Sequence, residues 1–184
     1  MFIKRFFGHL KTISIHKYYV FKYACKAGIP LQGLTHDLSK FSYIEFSEGV
    51  KYYTDGKKSP ISTCKKLNGY SKAWLHHKGR NKHHFEYWYD FNTPDNTPII
   101  PYKYVVEMIC DTLAASITYY GKNWTPKVQL DYFNNRKDLK YLNVNIKNML
   151  LEVYQEMIDK NINEVINKKH LKALYKKHTT SPSK

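Results

Sequence analysis

The stretch YKYVVEMICDTLAASITYYG, Tyr102 to Gly121, decides the fold class. It is an apolar run long enough for five turns of helix, with no proline inside and a glycine where a helix would stop. Asp111 sits deep inside it. A carboxylate deep in an apolar helix is expensive to bury and needs a cation, a metal or several hydrogen bonds.

Working outward, the other segments also read as helix. Phe2, Phe6, Phe7, Leu10, Ile13, His16 and Val20 recur at three- and four-residue spacing, which places His16 on the inward stripe of a first helix that Gly28 and Pro30 end. A short helix is expected to carry Leu34, His36, Asp37 and Leu38. Ser42 followed by Glu45 has the form of a capping box. Ser59-Pro60 and Ser71 mark further helix starts, and FNTPDNTPIIP is a proline-rich loop. After Gly121, helices are expected over 126–137, 143–159 and 162–176. No segment reads as a strand, so the fold expected is all-α. Residues 1–124 form the expected core, 125–178 add C-terminal helices to the same domain, and 179–184 are a loose tail.

The formal charge is +15, which favours an anionic partner such as a nucleotide or nucleic acid. Cys25, Cys64 and Cys110 are far apart and odd in number, as suits a reducing cytoplasm. No window approaches a membrane span, and no membrane partner is expected.

Metal-capable side chains recur along the chain. His16 is followed by the neighbours His36 and Asp37, then by His76, His77, His83 and His84 within nine positions, then by Asp111. Imidazoles and carboxylates gathered from separate helices suit one or two ions of Mn, Fe, Co, Ni or Zn. Lys78, Arg80 and Lys82 crowd the histidines. Glu45 is assigned to the cap. Glu86 either orients a ligand histidine or pairs with a nearby cation. His9, His170 and His178 look peripheral.

LTHDLSK (34–40) resembles the HD signature of the HD-domain superfamily of metal-dependent phosphohydrolases, with Lys40 in the lysine place. ICDTLAAS (109–116) resembles that superfamily's final aspartate helix, and LHHK (75–78) is similar to its HHE element, with Lys78 replacing the glutamate. HDLSKFSYIEF together with AWLHHKGRNKHHFEYW resembles a group of short bacterial and phage HD-like proteins across His16 to Trp124.

This resemblance implies an HD-like helical bundle in which His16, His36, Asp37 and Asp111 are metal ligands. His77 and His84 are the ligands taken from the two pairs. His76, His83, Lys40, Lys78 and Arg80 are then left to contact phosphate or substrate, with Asp37 and Lys40 as the catalytic residues. The gap between the pairs is shorter than in two-metal members. The activity implied is hydrolysis of a nucleotide or other phosphorylated small molecule by a metal-activated water. A di-iron oxygenase and a non-catalytic nucleotide or nucleic-acid binder are the rival expectations.

Overall fold

The structure is a computed structural model, described over residues 1–180. Ten α-helices and no strand occur among the described residues, so the chain is an all-α bundle.

Helix α1 (Phe2–Ala27) ends at Gly28, whose φ of 79° lets its N–H reach back to the carbonyls of Ala24 and Cys25. Helix α2 (Pro30–Thr35) folds back on α1. The approach is tight, because a Cβ on Gly33 would lie 2.4 Å from the Cβ of Ala24. A 3₁₀ turn (Leu38–Phe41) leads into α3 (Tyr43–Tyr52), which packs on α4 (Pro60–Asn68) and α5 (Lys72–Lys78). Another 3₁₀ turn (Phe85–Tyr87) precedes α6 (Tyr102–Tyr120), and α6 lies along α1.

Helices α7 (Pro126–Asn134), α8 (Val144–Asp159), α9 (Ile162–Val165) and α10 (Lys168–Thr180) complete the bundle. One hydrophobic cluster runs through it, from Val20 and Ala24 of α1 and Ile109 and Leu113 of α6 to Met149 and Val153 of α8 and Leu171 of α10. Each large apolar side chain buried there contributes roughly 1.5–3 kcal/mol.

Several local expectations are corrected. His36 and Asp37 are not helical. Helix α2 ends at Thr35, and Asp37 has φ 53° and ψ 31°, the left-handed conformation that a short polar side chain tolerates. The first turns of α1 do not bury their phenylalanines, since Phe2 and Phe7 are 69% and 61% exposed. His9, expected at the periphery, is instead buried in that helix. The span 162–176 is two helices: Ile166 leaves the helical region, and Asn167 caps α10 by accepting from the His170 N–H. Thr179 and Thr180 continue α10 rather than starting a loose tail, and residues 181–184 lie outside the described residues.

Candidate metal centre

Five parts of the chain meet at Asp37. His16 comes from α1, Asp111 from α6, and His36 and Asp37 from the break between α2 and the following turn. His77 comes from α5, while His83 and His84 come from the loop after it. Lys17, one residue after His16, donates to the backbone carbonyl of His36 at 2.5 Å and so ties the break to α1.

The two oxygens of Asp37 face different histidines. Oδ2 lies 3.2 Å from His36 Nε2 and 3.8 Å from His16 Nε2. Oδ1 lies 3.3 Å from His77 Nε2 and 3.4 Å from His83 Nε2. Asp111 closes the first side, with Oδ1 at 3.1 Å from His16 Nε2 and 3.3 Å from His36 Nε2. Three groups result, each with ligand atoms within 4.8 Å of one another: His16–His36–Asp37–Asp111, Asp37–His77–His83–His84 and the smaller His36–His83–Glu107. Asp37 is common to the two larger ones.

The outer ring nitrogens are held by carboxylates. Glu107 Oε1 accepts from His36 Nδ1 at 3.0 Å and lies 3.1 Å from His83 Nδ1. Glu45 Oε2 accepts from His77 Nδ1 at 2.8 Å. Each ring thereby presents Nε2 to the centre, as carboxylates behind metal-ligating histidines do.

These residues fit a divalent metal. His16, His36, His83 and His84 Nε2 and both Asp37 oxygens are buried without a well-aligned hydrogen-bonding partner among the described residues. Buried polar atoms are rarely left so, and a bound ion or water is a usual partner for them. The donor set of imidazole nitrogen and carboxylate oxygen suits a borderline or hard cation.

The electrostatics point the same way. Burial opposes the charge of Asp37, yet His36, Lys40 and His77 hold its carboxyl well below the usual range. Burial likewise opposes the charge of Asp111, which His16, His36 and His83 keep low. Burial, with Lys40 nearby, lowers His16 to about 4, and burial with His83 lowers His84. Both carboxylates are thus ionised and His16 and His84 neutral, the forms that bind metal. His36 differs: burial opposes its charge, but Asp37, Asp111 and Glu107 outweigh that and raise it well above the usual imidazole range in the metal-free protein, so it must give up a proton to ligate. Lys40 Nζ sits 2.6 Å from Asp37 Oδ2. Burial disfavours its charge, but Asp37 and Asp111 outweigh that and raise its pKa.

The centre opens into a cavity of about 550 Å³. Its wall includes Lys40, Trp74, Tyr119 and Tyr132, and also His9, whose ring packs 5.3 Å from Phe46. The cations expected beside phosphate are only partly there. Lys40 lines the cavity, but His76, Lys78 and Arg80 do not; Lys57, Lys65 and Arg136 do. His76 donates to Glu45 Oε1 at 2.6 Å, and the exposed Arg80 reaches only the His76 carbonyl. His83, assigned above to substrate contact, stands in the ligand group with His77 and His84.

Glu45 is both the third residue past the Ser42 cap, its N–H donating to Ser42 Oγ, and the carboxylate behind His77. Glu107 was not anticipated. It lies one helical turn before Asp111 in an otherwise apolar run, a signal that was available. Glu86 lines the cavity and, among the described residues, makes no side-chain hydrogen bond or ion pair to a histidine.

A family model matches residues 5–167. The chain belongs to DUF5662, a family of unknown function. The match spans α1 to the end of α9, so the whole metal centre and its cavity lie within the DUF5662 region. No curated protein and no solved structure matches the chain.

Proposed function

We propose that this DUF5662 protein is a metal-dependent phosphohydrolase of HD type, acting on a nucleotide or other phosphorylated small molecule. The observation that carries the reading is Asp37, shared by two ligand groups whose His16, Asp111, His77, His83 and His84 line a cavity that Lys40 also lines. One or two ions of Mn, Fe, Co, Ni or Zn would supply Lewis acidity and a bound water of lowered pKa.

The chain's own residues do the rest. His16, His36 and Asp111 hold one side, and His77, His83 and His84 the other. Lys40 keeps its charge and is 24% exposed, so it can meet a phosphoryl oxygen and offset the negative charge that grows in transfer. Trp74, Tyr119 and Tyr132 restrict bulk water around the reacting group. The reading includes a cytoplasmic location, supported by three free cysteines. Among the described residues no helix is long and apolar enough to cross a membrane.

Phosphate release from a panel of nucleotides and cyclic dinucleotides, with each metal in turn, tests the proposal. Turnover that disappears in Asp37→Asn supports it, and no turnover with any metal rejects it. The carboxylate shared between two histidine-rich groups also favours a second reading, a di-iron oxygenase. Two equivalents of iron with an oxygen-dependent spectral change, and no phosphate release, would select it.

A further inference from the structure

Lys57, Lys65 and Glu86 line the cavity outside the metal centre without an ion pair within 4.0 Å among the described residues. Two of them, Lys65 of α4 and Glu86 of the turn after His84, act on each other, each feeling the other's charge through space. Their neighbours are already committed. The Arg136 guanidinium binds both oxygens of Asp138, at 3.1 and 2.6 Å, and packs 5.8 Å from the Phe85 ring.

This wall carries two cations and two anions, Lys65 and Arg136 against Glu86 and Asp138. A balanced wall is a poor site for a second phosphate. It suits a neutral group that offers a donor to the carboxylate and an acceptor to the ammonium. The wall is also aromatic. Lys65 Nζ lies 4.3 Å from the Trp74 ring centre, Trp74 is 5.0 Å from the His84 ring, and Tyr132 lines the same space. Lys65 therefore stands one indole away from a candidate ligand of the metal. The volume of about 550 Å³ falls in the range of roughly 300–1,000 Å³ that holds ligands larger than phosphate alone.

We infer that Lys65 and Glu86 read the edge of a nucleobase, so that the substrate is a nucleotide with its phosphate at the metal centre and its base against this wall. The inference rests on the phosphohydrolase reading above. An unstacked base offers a hydrogen-bonding edge and a face for aromatic side chains. Guanine matches the pair best. Its ring N–H and amino group supply two donors for the two oxygens of Glu86, and its carbonyl accepts from Lys65.

The test is calorimetric titration of the metal-loaded full chain with guanosine 5′-monophosphate, ribose 5-phosphate and inorganic phosphate, in wild type, Glu86→Gln and Lys65→Met. The expected result is that the nucleotide binds at least tenfold more tightly than the sugar phosphate. Each variant should lose most of that preference while inorganic phosphate binds as before. Equal affinity for nucleotide and sugar phosphate overturns the inference and leaves the phosphohydrolase reading standing. Equal weakening of all three ligands in the variants overturns it as well, because the two residues would then serve the phosphate. If none of the three binds even to wild type, the phosphohydrolase reading falls and this inference with it.

Discussion

Glu107 Oε1 lies 3.0 Å from Nδ1 of His36, across 71 positions of sequence. The contact orients the His36 ring, with Nδ1 on Glu107 and Nε2 turned toward Asp37 and Asp111. The same oxygen serves His83, so one carboxylate supports a ligand in each of the two larger groups. Glu107→Ala should therefore weaken metal binding by about 10–100-fold, the usual cost of losing such a support. Competition with a chelator of known affinity would measure it. Unchanged affinity would mean that the histidines are oriented by other contacts.

Lys40→Met is expected to separate phosphate from metal. The lysine contacts Asp37 Oδ2 but offers no electron pair while protonated. The variant should keep its metal content and lose at least about tenfold in affinity for inorganic phosphate, as expected for loss of a charge-assisted contact. Loss of the metal itself would assign Lys40 to assembly of the centre.

The Gly33 approach sets the distance between α1 and α2, and hence between His16 and the His36-Asp37 break. In Gly33→Ala a methyl group would lie 2.4 Å from Ala24 Cβ. Overpacking of this kind costs about 1–3 kcal/mol. At roughly 2–4 °C per kcal/mol for a chain of this size, melting should fall by several degrees. Metal content should fall with it, since the two sides of the first group move apart. A variant with wild-type melting and full metal would show that the helices can adjust freely.

Acid should destabilise the metal-free protein in two windows. His9 and His16 are lowered to about 4, in each case by burial first and then by Lys40. Between their unfolded value near 6.5 and about 4, the unfolded chain binds more protons, so their contribution is complete above 6.5 and is lost as pH falls toward 4. Glu107 is pushed down to about 2, where burial acts in opposition and His36 and His83 prevail. Its contribution is complete above its unfolded value near 4.5 and is lost as pH falls through about 2. His9 touches none of the candidate ligands, so His9→Leu isolates one part. It should flatten the pH 4–6.5 slope of the unfolding free energy by at most about 3 kcal/mol in total. An unaltered slope would show that His9 is not held neutral.

Much of the centre was legible because its ligand types are rare and clustered. His16 could be placed by helical spacing, and Asp111 stood out as a charge in an apolar helix. Adjacent residues were harder. One histidine of each pair was taken as a ligand, a choice that suits a helix, where neighbours point about 100° apart. That logic holds in α5, where His77 faces Asp37 and His76 does not. It fails at His83 and His84, which lie in a turn where both rings can point the same way. The supporting carboxylates were hidden for another reason. Glu45 and Glu107 act across 32 and 71 positions, and the packing of α3 on α5 and of α6 along α1 brings them to their histidines. The cations of the cavity were misplaced because Lys78 and Arg80 are near the histidines in sequence, whereas Lys57, Lys65 and Arg136 are near them in space.

The left-handed backbone at Asp37 has a consequence for mutational tolerance. That conformation admits glycine, asparagine and aspartate with little strain and penalises most other residues by about 1–2 kcal/mol. A library randomised at position 37 should consequently separate into two filters. Selection for abundance in the cell would retain the three permissive residues, whereas selection for activity would retain aspartate alone. Position 37 would then be a single codon at which the requirements of the backbone and of the chemistry can be counted apart.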